Sequence, residues 1–350
     1  TGASPDQQSL AICGRIVPEV EAPPVPSLLV RLPRLVRQLV AVLRPRSHLR
    51  RLETLVAEGT IGAGGTALES WQRIDARLPE LYEAYQLHLL VSAAAGALAS
   101  ILLGRLAGGG DPSDTHHAIV AAVLAGAEGV ESADIAEGSE RILEALVEAG
   151  AAAEPFLDEA VAVAARWLES EAAGEAGRRY RAYLERHGHR SLRELDIRQP
   201  EWAHDPTPLV RSLQSQLRGR RSGASVRAPE APLPPPPGAE RFDRIRPLAH
   251  AAVRNRERSK SLLVGLTVHF KRAYRALGGQ LVAEGRLPDA DAVYFLFHEE
   301  IETLARGADP ELANRAVARR GVLDYQQSLR FPEVQVGRPQ PEPIGEAVIV

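Results

Sequence analysis

The sequence predicts a mainly α protein, a multi-helix domain with a few short strands, on three observations. Aromatics make up only 5% of the 350 residues, so burial falls to Ala, Leu and Val. Helices pack these residues closely, whereas strands enrich in aromatic and β-branched ones. Apolar residues recur at helical spacing along most of the chain. Gly, Pro and Asp stand between those stretches, where helices end and turns begin.

Residues 28–56 alternate Leu, Val and Arg at roughly helical spacing. Residues 67–106 read as two helices broken near Leu78-Pro79, because proline removes a donor and crowds the turn before it. Inside them, residues 89–104 run for sixteen positions without a charge. A spanning helix wants about 20 apolar residues, so this run reads as a buried core helix, with no membrane partner. A glycine run then stops the chain, and Ser113 caps a helix over 116–125. Further helices are expected over 132–148, over 155–171 with Trp167 on the apolar face, and over 178–187, ending at Gly188.

After that point the character changes. Residues 187–202 are irregular and charged, with strand-like pieces around Leu195, Asp196 and Ile197. Asp205-Pro206-Thr207-Pro208 is expected to start a helix that runs through Leu217, followed by a basic and then proline-rich segment, 218–238, that reads as a low-complexity loop. A long helix spans 242–277, closing at Gly278-Gly279 or continuing to Glu284. Val293 to Phe297 is a short apolar run of strand type, ahead of helices over 298–305 and 311–329. Residues 345–350, GEAVIV, look like a first strand, and no internal repeat is evident.

Several function classes are disfavoured. A net charge of −3 gives no bulk attraction to nucleic acid or an anionic membrane. Cys13 is the one cysteine, so no intrachain disulfide forms, which fits a reducing, cytoplasmic setting. The chain starts at Thr1 and contains no Met, as expected of a piece cut from a longer protein or of a processed one. His298 to Glu302 begins like a zinc-protease helix, but Glu302 stands where the second histidine belongs, so surface charge is the better reading. His116 and His117 point to different helix faces and read as a cap region, leaving no metal site. There is no GxxxxGK[ST], no GxGxxG after a strand and no GxSxG. The chain therefore reads as carrying no complete catalytic machine.

One constellation stands out. The long helix carries an apolar stripe at Ile245, Leu248, Ala249, Ala252 and Val253, resumed at Leu263, Leu266, Phe270, Tyr274 and Leu277. At about 100° per residue, Arg256 lies ~20° from Ala249, and Lys260 ~20° from Val253. Two cations one turn apart thus interrupt the stripe, and a buried charge needs an anionic partner. That partner is either a carboxylate such as Glu194 or Asp196, or a phosphoryl group, which Arg and Lys hold together in phosphoryl transfer.

Around these cations the sequence resembles the rifampin phosphotransferases and the phosphoenolpyruvate-synthase-like proteins related to them, in their middle region. The resemblance rests on Arg256-Glu257 with Ser259-Lys260-Ser261, and on GRLPDADAVYFL from Gly285 with Glu300 beyond it. It also rests on His187 to Arg190, Glu194 to Asp196, Pro200 with Trp202, and Asp205-Pro206. Gly2 to Pro5 with Gln8-Ser9, GAEGVES from Gly126, and YQQSLRFP from Tyr325 extend it over most of the chain.

The resemblance implies an ATP-grasp domain before this region and a swivelling domain with a phosphocarrier histidine after it. Residues 1–24 would leave the first, 25–331 would form a helical substrate-binding domain, and 332–350 would begin the second. Arg256 and Lys260 would contact the travelling phosphoryl group, and Gln8 would lie near the acceptor hydroxyl. The partner would be an apolar hydroxylated small molecule, or pyruvate. ATP and Mg2+ are expected in the parent, and no cofactor in this chain. His187 is preceded by Arg186 rather than Ser or Thr, so it does not fit the carrier role. The rival reading is a non-catalytic helical scaffold for a protein or peptide partner.

Overall fold

The computed structural model describes residues 44–62, 64–222, 242–331 and 339–341. Helices dominate, and no strand occurs among the described residues, so the expected short strands are corrected. Leu195 to Ile197 lie in successive turns, and Val293 belongs to a 3-10 helix, Ala290–Phe295, whose start Asp289 caps by accepting from the Ala292 amide at 3.1 Å. Short apolar runs do not distinguish a strand from one buried helical turn, and no second strand is there among the described residues to pair with this one. The expectations for residues 1–43 and 223–241, and for the end of the chain, lie outside the described residues.

The chain divides into two compact units. The larger holds α1 (Pro45–Glu58), most of α2 (Ala67–Ala107), α3 (Asp114–Ala125) and α4 (Glu131–Glu148). It continues through α5 (Glu154–Asp158), α6 (Val161–Glu169), α7 (Gly174–His187), α8 (Thr207–Arg221) and α9 (Arg246–Ala283) as far as Arg272. Two apolar clusters hold it. In one, Ile142, Leu146, Phe156, Leu168, Tyr180 and Leu213 join α4 to α8. In the other, Leu102 of α2 meets Val120 and Val123 of α3 and Ala249 of α9.

Ser113 caps α3 as expected, with a reciprocal device: its hydroxyl accepts from the His116 amide, and its own amide donates to His116 Nδ1 at 3.1 Å. His116 therefore serves a helix end. Gly188 does end α7, but with a right-handed backbone rather than a left-handed cap. Its need is space: a Cβ there would lie 2.9 Å from the Ala203 Cβ and closer still to the Leu184 carbonyl. The Ala203 amide donates to the Gly188 carbonyl at 2.9 Å, so the returning loop docks directly on the glycine backbone.

Four element boundaries are corrected. α2 is one helix that passes through Pro79 unbroken. Ile74 and Ala84 on either side are fully buried, and that packing outweighs the lost hydrogen bond. Residues 155–171 break into α5, α6 and a 3-10 turn, Glu171–Ala173. Arg218 to Arg221 continue α8, anchored by Arg220 on Glu140 at 2.6 Å and by Arg221 on Glu154 at 2.5 Å. Residues 311–329 divide into α11 (Pro310–Gly321) and α12 (Leu323–Ser328).

The uncharged part of α2 also departs from a buried core helix. α2 is long and apolar enough to span a membrane by length and composition, and only 11% of its most apolar stretch is buried. The cluster with α3 and α9 covers the Leu102 side alone, leaving Leu89 45% and Ile101 48% exposed.

The smaller unit joins Gly62–Asp75 to the chain from Ala273 onward. α9 runs on to Ala283 past Gly278, where a Cβ would strike the Ala290 backbone. The 3-10 turn packs against α11, and α10 (His298–Arg306) contributes buried Ile301 and Leu304. Glu300, three residues into α10, accepts from the Phe297 amide at 2.8 Å, from Arg315 at 2.9 Å and from Arg319 at 2.5 Å. Burial opposes ionisation, yet these donors hold its carboxyl at about 2. His298 stacks on Trp71 and lies 3.0 Å from the Tyr274 hydroxyl and 3.2 Å from Asp75. His298 and Glu300 are thus packed structural residues, which corrects the reading of this motif as surface charge.

Candidate functional site

The polar centre of the larger unit is the turn of α9 from Arg256 to Ser261. The covered face drifts here: Ser259, Ser261, Leu262, Leu263 and Val264 are buried, while Leu248 is 61% exposed. Arg256 and Lys260 are accordingly exposed, not embedded in the stripe as the periodicity suggests. Because the buried face shifts along α9, the ideal angle from Ala249 and Val253 stops reporting burial at this turn.

The two cations differ in what they meet. Lys260 Nζ lies 2.8 Å from Glu194 Oε2, the carboxylate partner foreseen from the sequence. Asp196 instead accepts from the Arg198 amide at 3.0 Å. Arg256 has no ion-pair partner among the described residues, and its guanidinium is open to solvent. Gln8 lies outside the described residues.

Behind Lys260 stands a charge network. Buried Arg190 donates to Glu194 at 2.7 Å and lies 3.7 Å from Glu131. Arg258 donates to Glu131 at 3.0 Å. Burial would raise the Glu131 carboxyl, but Arg258 and Ser261 outweigh it and the group is held low. Glu194 follows the same pattern, with Lys260 and Arg190 overcoming its desolvation.

Two histidines flank this turn. His88 Nδ1 lies 2.9 Å from Ser259 Oγ, and His189 Nε2 lies 3.2 Å from Ser261 Oγ. Burial, and then the Arg190 charge, push His189 down to about 4, so it is neutral at pH 7. Burial and then Arg256 lower His88 as well. His187 is buried against Tyr183 and lies 3.0 Å from Asp134, inside the core.

An exposed guanidinium one turn from an ammonium is a donor pair for an oxyanion. No group of three or more His, Cys, Asp or Glu that could hold a metal occurs among the described residues.

A family model described as the rifampicin phosphotransferase fourth domain matches residues 88–263, half of the chain. The chain belongs to the rifampicin phosphotransferase family. The match opens on His88 and contains Arg256 and Lys260. It bears out the resemblance carried by the cations and by the segment from His187 onward. Sequence reasoning missed His88, Glu131, His189 and Arg190 as members of the site. His189 and Arg190 stood in the motif that carried the resemblance. His88 is 171 residues from Ser259, a separation that no periodicity spans.

Proposed function

We propose that this chain is the substrate-binding region of an ATP-dependent phosphotransferase of this family. It would present a hydroxyl of an apolar small molecule, or pyruvate, to a phosphohistidine. In this reading ATP and Mg2+ are bound outside the chain, on an ATP-grasp domain that residues 1–24 leave. Residues 25–331 form the substrate-binding domain, and residues 332–350 lead into the swivelling carrier domain, all in the cytoplasm. Neither nucleic acid nor a membrane is a partner.

The observation that carries the reading is Arg256: an arginine in a charge-rich neighbourhood, yet with no carboxylate of its own among the described residues. A planar fork left open beside Lys260 suits a group that comes and goes, such as a phosphoryl carried by another domain. Gln8 is assigned to the acceptor hydroxyl on the family pattern. The exposed apolar residues Leu89 and Ile101 of α2 are in keeping with an apolar body for that acceptor.

The test is phosphorylation of the acceptor by the phosphotransferase that contains this chain, with Arg256→Ala and Lys260→Ala. Turnover should fall about a hundredfold or more, as on loss of a preorganised donor. Retained turnover overturns the assignment. The second reading, a helical scaffold, is favoured by the Lys260 to Glu194 ion pair, which needs no ligand to explain it. On that reading the same variants act on stability alone.

A further inference from the structure

The hydrogen bonds around Ser259 fix the tautomer of His88. A serine hydroxyl has one proton, and Ser259 donates its proton to the Arg256 carbonyl at 2.8 Å. Toward His88 it can only accept, so Nδ1 carries the imidazole hydrogen and Nε2 the lone pair. Ser92 Oγ lies 3.5 Å from Nε2, too far to engage that lone pair fully. A donor bond at one ring nitrogen and a free lone pair at the other are what a base needs. The same serine ties this imidazole to the turn that carries Arg256 and Lys260.

Resting on the phosphotransfer reading above, we propose that His88 is the base that receives the proton of the acceptor hydroxyl. The acceptor oxygen forms a bond to phosphorus as the phosphorus–nitrogen bond of the phosphohistidine breaks. The electron pair of that bond stays on the carrier imidazole, and the hydroxyl proton passes to His88 Nε2. The charged groups acting on His88 are Arg256 and Lys260, which disfavour its protonation, and Glu257, which favours it. A phosphoryl group settling on Arg256 and Lys260 offsets their charge, so His88 becomes a stronger base as the reactive group arrives.

The decisive variant is His88→Asn, whose amide still donates to Ser259 but offers no basic nitrogen. With the complete phosphotransferase, turnover should fall by about a hundredfold to ten-thousandfold while KM for the acceptor holds. The fall of kcat on the acid side should disappear with it. Unchanged turnover, or a lowered turnover that keeps its acid limb, overturns the proposal. An NMR titration of the wild-type chain keeps the test independent of how the variant folds. Inorganic phosphate should raise the His88 midpoint, and Arg256→Ala should abolish that rise. Phosphate binding that leaves the His88 midpoint unmoved overturns the role of His88 alone. Absence of any Arg256-dependent phosphate binding overturns both this role and the phosphoryl site.

Discussion

Lys260 meets Glu194 at 2.8 Å while its own side chain stays 46% exposed, whereas Glu194 is mostly enclosed and shared with Arg190. The pair is therefore asymmetric. Lys260→Ala should cost less than about 1 kcal/mol of stability, as for an exposed ion pair. Glu194→Ala leaves buried Arg190 only the 3.7 Å contact with Glu131 and should cost about 3 kcal/mol. Chemical denaturation of the two variants gives the comparison, and equal costs would mean that Lys260 is the structural member.

Arg256→Ala should be nearly neutral for folding, within about 0.5 kcal/mol, because its guanidinium holds no ion pair among the described residues. The denaturation midpoint of the variant checks this. A large drop would place Arg256 in the packing rather than at a ligand.

His189 links stability to pH. Its folded-state value of about 4 lies below the ordinary 6.5, so the unfolded chain binds more protons between those limits. Its contribution is complete above pH 6.5 and is lost as pH falls toward 4, on the order of 1–3 kcal/mol. Stability measured across that window should flatten in His189→Gln.

Glu300 acts lower on the scale. Its carboxyl is held at about 2 against an ordinary 4.5, so its stabilisation is present above 4.5 and lost as pH falls through 2. Glu300→Gln should remove that slope from acid unfolding and lower stability by about 1–3 kcal/mol at neutral pH, because two arginines lose their carboxylate.

Gly188→Ala should destabilise by about 1–3 kcal/mol, since a Cβ meets both Ala203 and the Leu184 carbonyl. Thermal unfolding reads the effect. A neutral result would show that the loop can retreat from α7.

Much of the helical order was legible because periodicity and punctuation are local signals: Ser113 and Gly188 both sit at element ends. Continuity through Pro79 was not, because burial of Ile74 and Ala84 overrides a local break. At the site, spacing put Arg256 and Lys260 on one side of α9, and the acidic candidates included Glu194. Their exposure was hidden, because it depends on which neighbours cover that turn. His88 and Glu131 come to α9 from distant helices, a meeting set by tertiary packing alone.

The discontinuous smaller unit bears on the order in which the molecule assembles. Gly62–Asp75 must await the chain beyond Ala273, roughly 200 residues later, before its partners exist. Closing so long an intervening stretch is entropically costly and slow relative to local helix pairing. During synthesis the α4 to α8 cluster can therefore consolidate first. The His298 contacts with Trp71 and Asp75 come after it, which makes amide protection around Trp71 a late event in refolding.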